Sequence, residues 1–338
     1  MTSRRPTEAP VIVVTGAHGA IGSWCVRALR AHGARVIAFD LAAHPVVRLE
    51  GGAADATVVG DLRDAHVLEQ LIQTHRPAAI LHLAAIVGEA CDRDPALAIE
   101  VNALATARLI AVARAAGVGR IVAMSTKGVL GDLAPRHLHP HYEPVPTEAP
   151  IGPRTMYETT KLMVERLVEA DRARGGDATA IRLATTWGPG KTGATHGGFS
   201  LHSEVVAAAA AGRSSALDVH PDQGHDLVYY ADVGEGLAAC VLADGRLAAP
   251  VYHLGSGRIT RAADFAAAVE AIFPGVRVSL GQVFPGGRNC LLDIGRARED
   301  FGYEPVWDVT AAVRDMKRRL ADESAPVGSV PSTPRPAS

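Results

Sequence analysis

The sequence of 338 residues predicts an α/β fold, a doubly wound parallel sheet with a smaller lobe towards the C-terminus. Three observations predict it. Short β-branched runs alternate with segments whose apolar residues recur at helical spacing. A glycine-rich turn joins the first such run to the first helical segment. The alternation is regular through the first half of the chain and loosens after it. Strands buried on both faces by helices read as continuous apolar runs, and these do.

The elements follow in order. "VIVVTG" (11–16) and "RVIAFD" (35–40) predict the first two strands, and "IGSWCVRALRAHG" between them is a helix that stops at Gly33. "ATVVGD" gives a third strand, a helix follows from about Arg63 to His75, "AAILHLAA" is a buried run, and an Ala-rich helix spans about Pro95 to Ala116. "RIVAMST" is the next strand, a helix runs from about Arg154 to Arg174, and "TAIRLATT" supplies a strand over 179–186. Beyond it, "WGPGKTGATHGGFS" is a glycine-rich loop, "LHSEVVAAAAAG" a helix, "HDLVYYADVGEGLAACVLA" a strand then a helix, and "VYHLGSG" a strand. The expected organisation is a nucleotide-binding domain over 10–186 that also receives the segment 226–243, a substrate lobe over 187–225 and 244–321, and a disordered Pro- and Ser-rich tail over 322–338.

Composition excludes several classes. With a formal charge of -2 and no Lys/Arg run that suggests a DNA or membrane surface, the chain offers no footprint for nucleic acid or an anionic membrane. The opening "MTSRRPTEAP" runs straight into a strand without the apolar core and cleavage site of a secretory signal, and no segment is expected to approach a membrane span. Cys25, Cys91, Cys240 and Cys290 lie far apart, which argues against a zinc site or a disulfide framework and fits a reducing cytoplasm. His137, His139 and His141 alternate in "RHLHPHYEP", but Pro140 and Pro144 make this a surface loop, and no metal is expected.

"TGAHGAIG" places Gly16, Gly19 and Gly22 between the first strand and the first helix. Gly16 allows the sharp turn, Gly19 lets backbone approach a pyrophosphate, and Gly22 lets the helix sit close to the sheet, with its positive end towards the phosphates. The sheet is therefore expected to be of the Rossmann type and to bind a dinucleotide. Asp40 ends the second strand, where a carboxylate accepts hydrogen bonds from both adenosine ribose hydroxyls and repels a ribose phosphate. No arginine follows it immediately, so NAD is favoured over NADP. Asp61 and Leu62 in "GDLRD" could meet the adenine, although Asp61 could equally cap a helix. Leu83, Ala84 and Ala85 are placed where the chain can pass close to the cofactor, or as ordinary core residues.

Tyr157 and Lys161 in "TMYETTK" are spaced i, i+4 and so share one face of a helix. A phenol is a poor base at neutral pH, but an adjacent ammonium favours the phenolate and can also hold the nicotinamide ribose hydroxyls. The preceding strand ends in "AMSTKGVLG", which carries Ser125 and Thr126 to the carboxyl edge of the sheet, where a hydroxyl could bond the reacting oxygen.

Taken in order, "TGAHGAIG", "FD", "GDLRD", "LHLAA", "VNALAT", "MSTKGVLGD", "YETTK", "RLATTWGPG", "HDLVYYADV" and "YHLGSG" resemble the extended short-chain dehydrogenase/reductase family, in its branch of NAD-dependent epimerases and dehydratases. The resemblance covers about residues 11 to 320. It implies Tyr157 as general acid/base, Lys161 as its partner and Thr126 as ligand of the substrate oxygen. It places Asn102 and Ala84 beside the cofactor, in a cofactor set of Gly16, Gly19, Ala20, Ile21, Gly22, Asp40, Asp61, Leu62, Leu83, Ala84, Ala85, Asn102, Ser125, Tyr157 and Lys161. Thr126, Thr185, Thr186 and His225 would meet the substrate. It further implies a homodimer, through the helices at about 95–116 and 154–174.

Family members acting on sugar nucleotides often carry Asn at the position of Thr185 and Arg at that of His225, where both contact the diphosphate. "PRTMYETTK" is similar to the run in short-chain threonine dehydrogenases, whose substrate is small, and "VLG" replaces the usual "VYG". Lys127 and Gly128 follow Thr126 where a dehydratase commonly has Asp-Glu, which disfavours that branch. The expectation is an NAD-dependent epimerase or oxidoreductase working by reversible hydride transfer on a sugar-type substrate, possibly a nucleotide sugar. The alternatives are a dehydrogenase of a small hydroxy acid or amino alcohol, and a non-catalytic NAD sensor; intact Tyr157, Lys161 and Thr126 speak against the sensor.

Overall fold

The computed structural model describes residues 9–190, 201–284 and 288–324. Six strands, β1 (Val11–Thr15), β2 (Arg35–Asp40), β3 (Ala56–Val59), β4 (Ala79–His82), β5 (Arg120–Thr126) and β6 (Asp177–Leu183), join Val251–Leu254 in one parallel sheet. Its order is Val251–Leu254, β6, β5, β4, β1, β2, β3. Winding reverses between β1 and β4, and the crevice at the carboxyl ends of those two strands is where such sheets take ligands.

Side chains alternate across the sheet as a strand requires. Ile12 and Val14 face one core with Val36, Leu81 and Val122, covered by α1 (Ala20–Ala31) and the helix Tyr230–Leu242. These two helices approach so closely that a Cβ on Gly234 would stand 2.9 Å from the Trp24 carbonyl oxygen. Val13 faces the other core with Ile37, Ile80 and Ile121, under α2 (Ala65–His75), α5 (Ala105–Ala115) and α6 (Met156–Ala173). The scarce aromatic residues gather in a third core, where Trp24, Trp187, Tyr229, Tyr230 and Phe265 join the sheet domain to the lobe.

Several elements differ in detail from the expectation. The expected helix over 95–116 is one continuous helix, Pro95–Ala115, built of α4 (Pro95–Ile99), a π-helical turn over Glu100–Leu104 and α5, and a short helix not expected, α3 (Glu89–Arg93), precedes it. By length and composition Pro95–Ala115 could cross a membrane, contrary to the expectation that no segment would. Part of its apolar surface packs on α2, α6 and the sheet, while Ile99 and Leu104 are exposed.

The strand expected over 179–186 is two strands. β6 ends at Leu183, and β7 (Thr185–Trp187) leaves the sheet to pair with Leu227–Tyr229. Of the segment 226–243, the helix packs on the main sheet, while the strand Leu227–Tyr229 pairs outside it and sends Val228 into the same core. Val251–Leu254, expected in the lobe, is wholly buried and pairs with β6, Tyr252 opposite Ile181, extending the main sheet. The helix Val309–Ser324 runs into the start of the expected tail, whose remaining residues 325–338 lie outside the described residues, as does 191–200 of the glycine-rich loop.

Candidate active site

The glycine loop turns tightly at the β1 carboxyl end. Gly16 has φ +68°, and a Cβ there would stand 2.7 Å from the Ala84 backbone nitrogen, so the loop lies directly on the end of β4. Gly19 is the N-cap of α1 and has no side chain to satisfy the amides of the first turn, which point out of the loop. A Cβ on Gly22 would run into the Gly16 carbonyl oxygen and the Ala17 backbone, so its smallness serves the loop itself. Ala20 is buried and Ile21 half-buried against the core. Open amides at a helix N-terminus, over a backbone that approaches without side chains, are what a pyrophosphate requires.

Asp40 ends β2 as expected. Its Oδ2 accepts from the His18 backbone N–H at 2.9 Å and its Oδ1 from the Ala42 N–H at 3.1 Å. His18 adds a brace that the sequence reading overlooked. Its Nδ1 donates to the Ala42 carbonyl at 2.7 Å and its own carbonyl accepts from the Val46 N–H, fastening the loop to the segment after β2. Asp61 does not cap a helix. The cap of α2 is Asp64, while Asp61 is bound by Arg63, which holds its carboxyl below the usual range. Leu62 is buried.

A buried hydrogen-bonded chain crosses from the glycine loop to α6. Thr106 Oγ1 donates to the Asn102 carbonyl at 2.7 Å, so it must accept from His82 Nε2 at 2.8 Å. His82 Nδ1 then accepts from Thr15 Oγ1 at 2.7 Å, and Thr15 in turn accepts from the Ala84 N–H. These partners assign the Nε2–H tautomer, and burial holds the imidazole neutral, down at about 3. The Asn102 side chain, 1% exposed, clamps Ile86 through both its oxygen and its nitrogen and donates to Thr160 Oγ1 at 3.0 Å. Thr160 donates to the Tyr157 carbonyl. Asn102, expected beside the cofactor, thus has its amide engaged in holding the chain after β4 against α6. The π-helical turn around it provides the opening for these contacts.

α6 begins with a capping box, Thr155 accepting from the Glu158 N–H while Glu158 accepts from the Thr155 N–H. Arg288 from the C-terminal region donates to Glu158 Oε1 at 2.7 Å and to the Gly152 carbonyl, bracing the helix start. One turn along, Lys161 is buried, with Nζ 5.8 Å from the centroid of the half-buried Tyr157 ring. Burial pulls the ammonium down to about 8, and Cys91 opposes this. Burial also pushes the phenol well above its ordinary value, and Cys91 and Glu158 add to this.

The two hydroxyls at the end of β5 diverge. Thr126 is half-buried, its Oγ1 accepting from the Gly128 N–H at 3.1 Å, which leaves its proton available. Ser125, expected in the cofactor set, donates instead to Glu165 at 2.6 Å, and Glu165 is paired with buried Arg182 at 2.8 Å. Adjacent strand residues point to opposite faces, so only the backbone of Ser125 reaches the Thr126 side. Beyond Thr126, Lys127 Nζ donates to Thr185 Oγ1 at 2.8 Å. His225 bonds Asn289 and is held neutral, at about 4, by burial and by Lys127. Thr186 is buried and bonded to Tyr230. The histidines of 137–141 do not converge: His137 Nδ1 donates to the Glu143 carbonyl while His139 packs on Tyr142 and Phe284. Among the described residues no three potential metal ligands gather.

A Rossmann-type sheet, a phosphate-ready glycine loop and a Tyr-Lys pair at the same edge define a dinucleotide-dependent enzyme of the α/β class. Residues 12–255 match the family model described as the NAD dependent epimerase/dehydratase family, and the chain belongs to that family. Its cofactor is NAD.

Among the relatives, sterol demethylase protein B of Methylococcus capsulatus is 35% identical over 177 residues, 52% of each chain, so this chain spans about half of that relative. UDP-glucose 4-epimerase 4 of Oryza sativa subsp. japonica is 26% identical over 338 aligned positions, covering 90% of this chain and 88% of the relative. Among solved structures, UDP-glucose 4-epimerase of Thermotoga maritima with UDP-glucose superposes with a TM-score of 0.78 at 23% identity, over 93% of this chain and 99% of that one, a likeness of fold.

Proposed function

We propose that the protein catalyses reversible hydride transfer at a secondary alcohol of a sugar-type substrate, with Tyr157 as general acid/base, Lys161 as its partner and Thr126 as ligand of the substrate oxygen. The observation that carries this reading is the buried Lys161 ammonium beside Tyr157, on a helix packed against β5 and its terminal Thr126. In this reading the loop from Gly16 to Gly22 holds the pyrophosphate, Asp40 the adenosine ribose, Asp61 and Leu62 the adenine, and Lys161 the nicotinamide ribose. Leu83, Ala84 and Ala85 run along the cofactor. When bound, NAD supplies the hydride acceptor, nicotinamide C4.

Thr126 donates its free hydroxyl proton to the substrate oxygen and fixes the carbinol. Tyr157 accepts the alcohol proton as the C–H hydride departs, leaving a ketone, and returns it in the reverse direction. Lys161 opposes the desolvation of the phenolate, which the burial of Tyr157 makes necessary. His82, Asn102 and Thr160 keep α6 in register with the glycine loop and touch no substrate.

Whether the ketone is released or reduced again on its other face separates a dehydrogenase from an epimerase. The nucleotide-sugar epimerases among the relatives support the second outcome. Thr185 and His225, in place of Asn and Arg, favour the first, with a small hydroxy acid or amino alcohol. Stoichiometric NADH from a candidate alcohol identifies a dehydrogenase; isomeric product without NADH identifies an epimerase. Tyr157→Phe should lower turnover about 10²- to 10⁴-fold with NADH affinity nearly unchanged, and activity surviving that change would count against the mechanism. Ile99, Leu104 and Met163, exposed apolar residues on α4 to α6, support a homodimer formed through these helices. Sedimentation at micromolar concentration should give twice the chain mass.

A further inference from the structure

We infer that Lys127, with Thr185, forms a carboxylate subsite, and that the substrate is a sugar-type hydroxy acid without a nucleotide. This inference deepens the hydride-transfer reading and rests on it.

Lys127 directly follows Thr126 and opens a short turn, Lys127–Val129, at the carboxyl end of β5. That turn lies against the start of α6: a Cβ on Gly128 would stand 2.9 Å from Glu158 Cγ, in the residue next to Tyr157. Lys127 is half-buried, not enclosed. Its ammonium donates to Thr185 Oγ1 at 2.8 Å, and among the described residues it forms no ion pair. An ammonium has three donors, so the contact with Thr185 leaves two.

The surrounding groups do not cancel this charge by contact. Asp226 is 0% exposed, and its oxygens accept from the Ser256 N–H and hydroxyl and from the Leu292 N–H. Burial also pushes its carboxyl up, against ionisation. His225, kept neutral, adds no positive charge. Arg288, Arg154 and Arg182, guanidiniums near α6, are already matched by Glu158, Asp132 and Glu165, and the Lys161 ammonium is buried beside Tyr157. Among these described cations Lys127 is the one that is half-buried and keeps spare donors, and it is next in the chain to Thr126, the proposed ligand of the reacting oxygen.

A monoanionic carboxylate matches that arrangement. A diphosphate brings at least two charges on several oxygens and is met by guanidinium forks or several cations. A substrate bonded to both Lys127 and Thr126 would carry its carboxylate and its reacting carbinol on one small molecule. The balanced reaction is hydroxy acid plus NAD+ giving keto acid, NADH and a proton.

The test uses the full chain with NAD+ and a panel of aldonic, uronic and short hydroxy acids, their methyl esters, and UDP-glucose and UDP-galactose. At least one acid should reduce NAD+ with kcat/KM well above that of its ester. Lys127→Met should lower the ratio of kcat/KM for acid over ester about 10- to 100-fold, mainly through KM for the acid, and Lys127→Arg should restore part of it. NADH titration of each variant establishes that it is folded and binds the cofactor.

The inference is overturned if no acid outperforms its ester, if the ratio is unchanged in Lys127→Met, or if a UDP-sugar is converted and the acids are not. The last result would leave the hydride-transfer reading intact. That reading fails separately if Tyr157→Phe retains wild-type turnover on whichever compound reacts.

Discussion

Replacing Lys161 by Met should change how stability depends on alkaline pH. Burial lowers this amine from an ordinary value of 10.5 to about 8 in the folded chain. Between those values the unfolded chain still binds the proton that the folded chain has released, so folding stability must rise with pH across that window. Below about pH 8 both forms are protonated and the full desolvation cost is present. Integrating over the two titrations, the wild type should gain about 2 kcal/mol relative to Lys161→Met from about pH 8 to about pH 10. The thiols of Cys25, Cys240 and Cys290, raised by burial, titrate in the opposite sense, but they do not interact with Lys161 and cancel in the difference, whereas Cys91 and Tyr157 adjoin Lys161 and contribute to it. The assay is urea unfolding of both proteins, without cofactor, at several pH values in one ionic strength. Parallel curves would refute the reasoning, because they would mean that Lys161 is solvated and not enclosed beside Tyr157.

Gly16→Ala should destabilise the fold by about 2–5 kcal/mol, combining a left-handed backbone with overpacking on the Ala84 backbone, and should abolish NADH binding; calorimetry and fluorescence titration check both. His82→Leu keeps the volume but leaves the Thr15 hydroxyl proton without its acceptor, at a cost of about 1–3 kcal/mol. Because the folded imidazole refuses the proton that the unfolded one takes up, His82 contributes a loss of stability as pH falls from about 6.5 towards about 3. The acid slope of His82→Leu in urea unfolding should therefore be shallower than that of the wild type.

The fold was legible wherever local pattern and global placement agree. Gly16, Gly19 and Gly22 could be read because the turn requires glycine whatever lies around it, and Tyr157 and Lys161 because i, i+4 spacing fixes a common face. Alternation along β5 already implied that Ser125 and Thr126 diverge, and applying it would have taken the Ser125 hydroxyl out of the cofactor set. Other features depend on contacts remote in sequence. Asn102 turns to Ile86 and Thr160, Arg288 reaches Glu158 across 130 positions, and Val251–Leu254 finds β6 only after the lobe has been threaded. The apolar run of Val251–Leu254 marks it as a buried strand but does not say in which sheet. His18 and Lys127 stood within motifs that were read, yet no periodicity indicates that one braces the loop after β2 or that the other meets Thr185.

A crystal structure of the complex with NADH tests the central claim most directly. The account predicts the nicotinamide ribose within hydrogen-bonding distance of Lys161 Nζ, the Tyr157 hydroxyl and Thr126 facing one side of the nicotinamide ring, and the pyrophosphate on the amides that follow Gly19. A coenzyme bound with its nicotinamide away from α6, or with Tyr157 and Lys161 facing apart from it, would contradict the account.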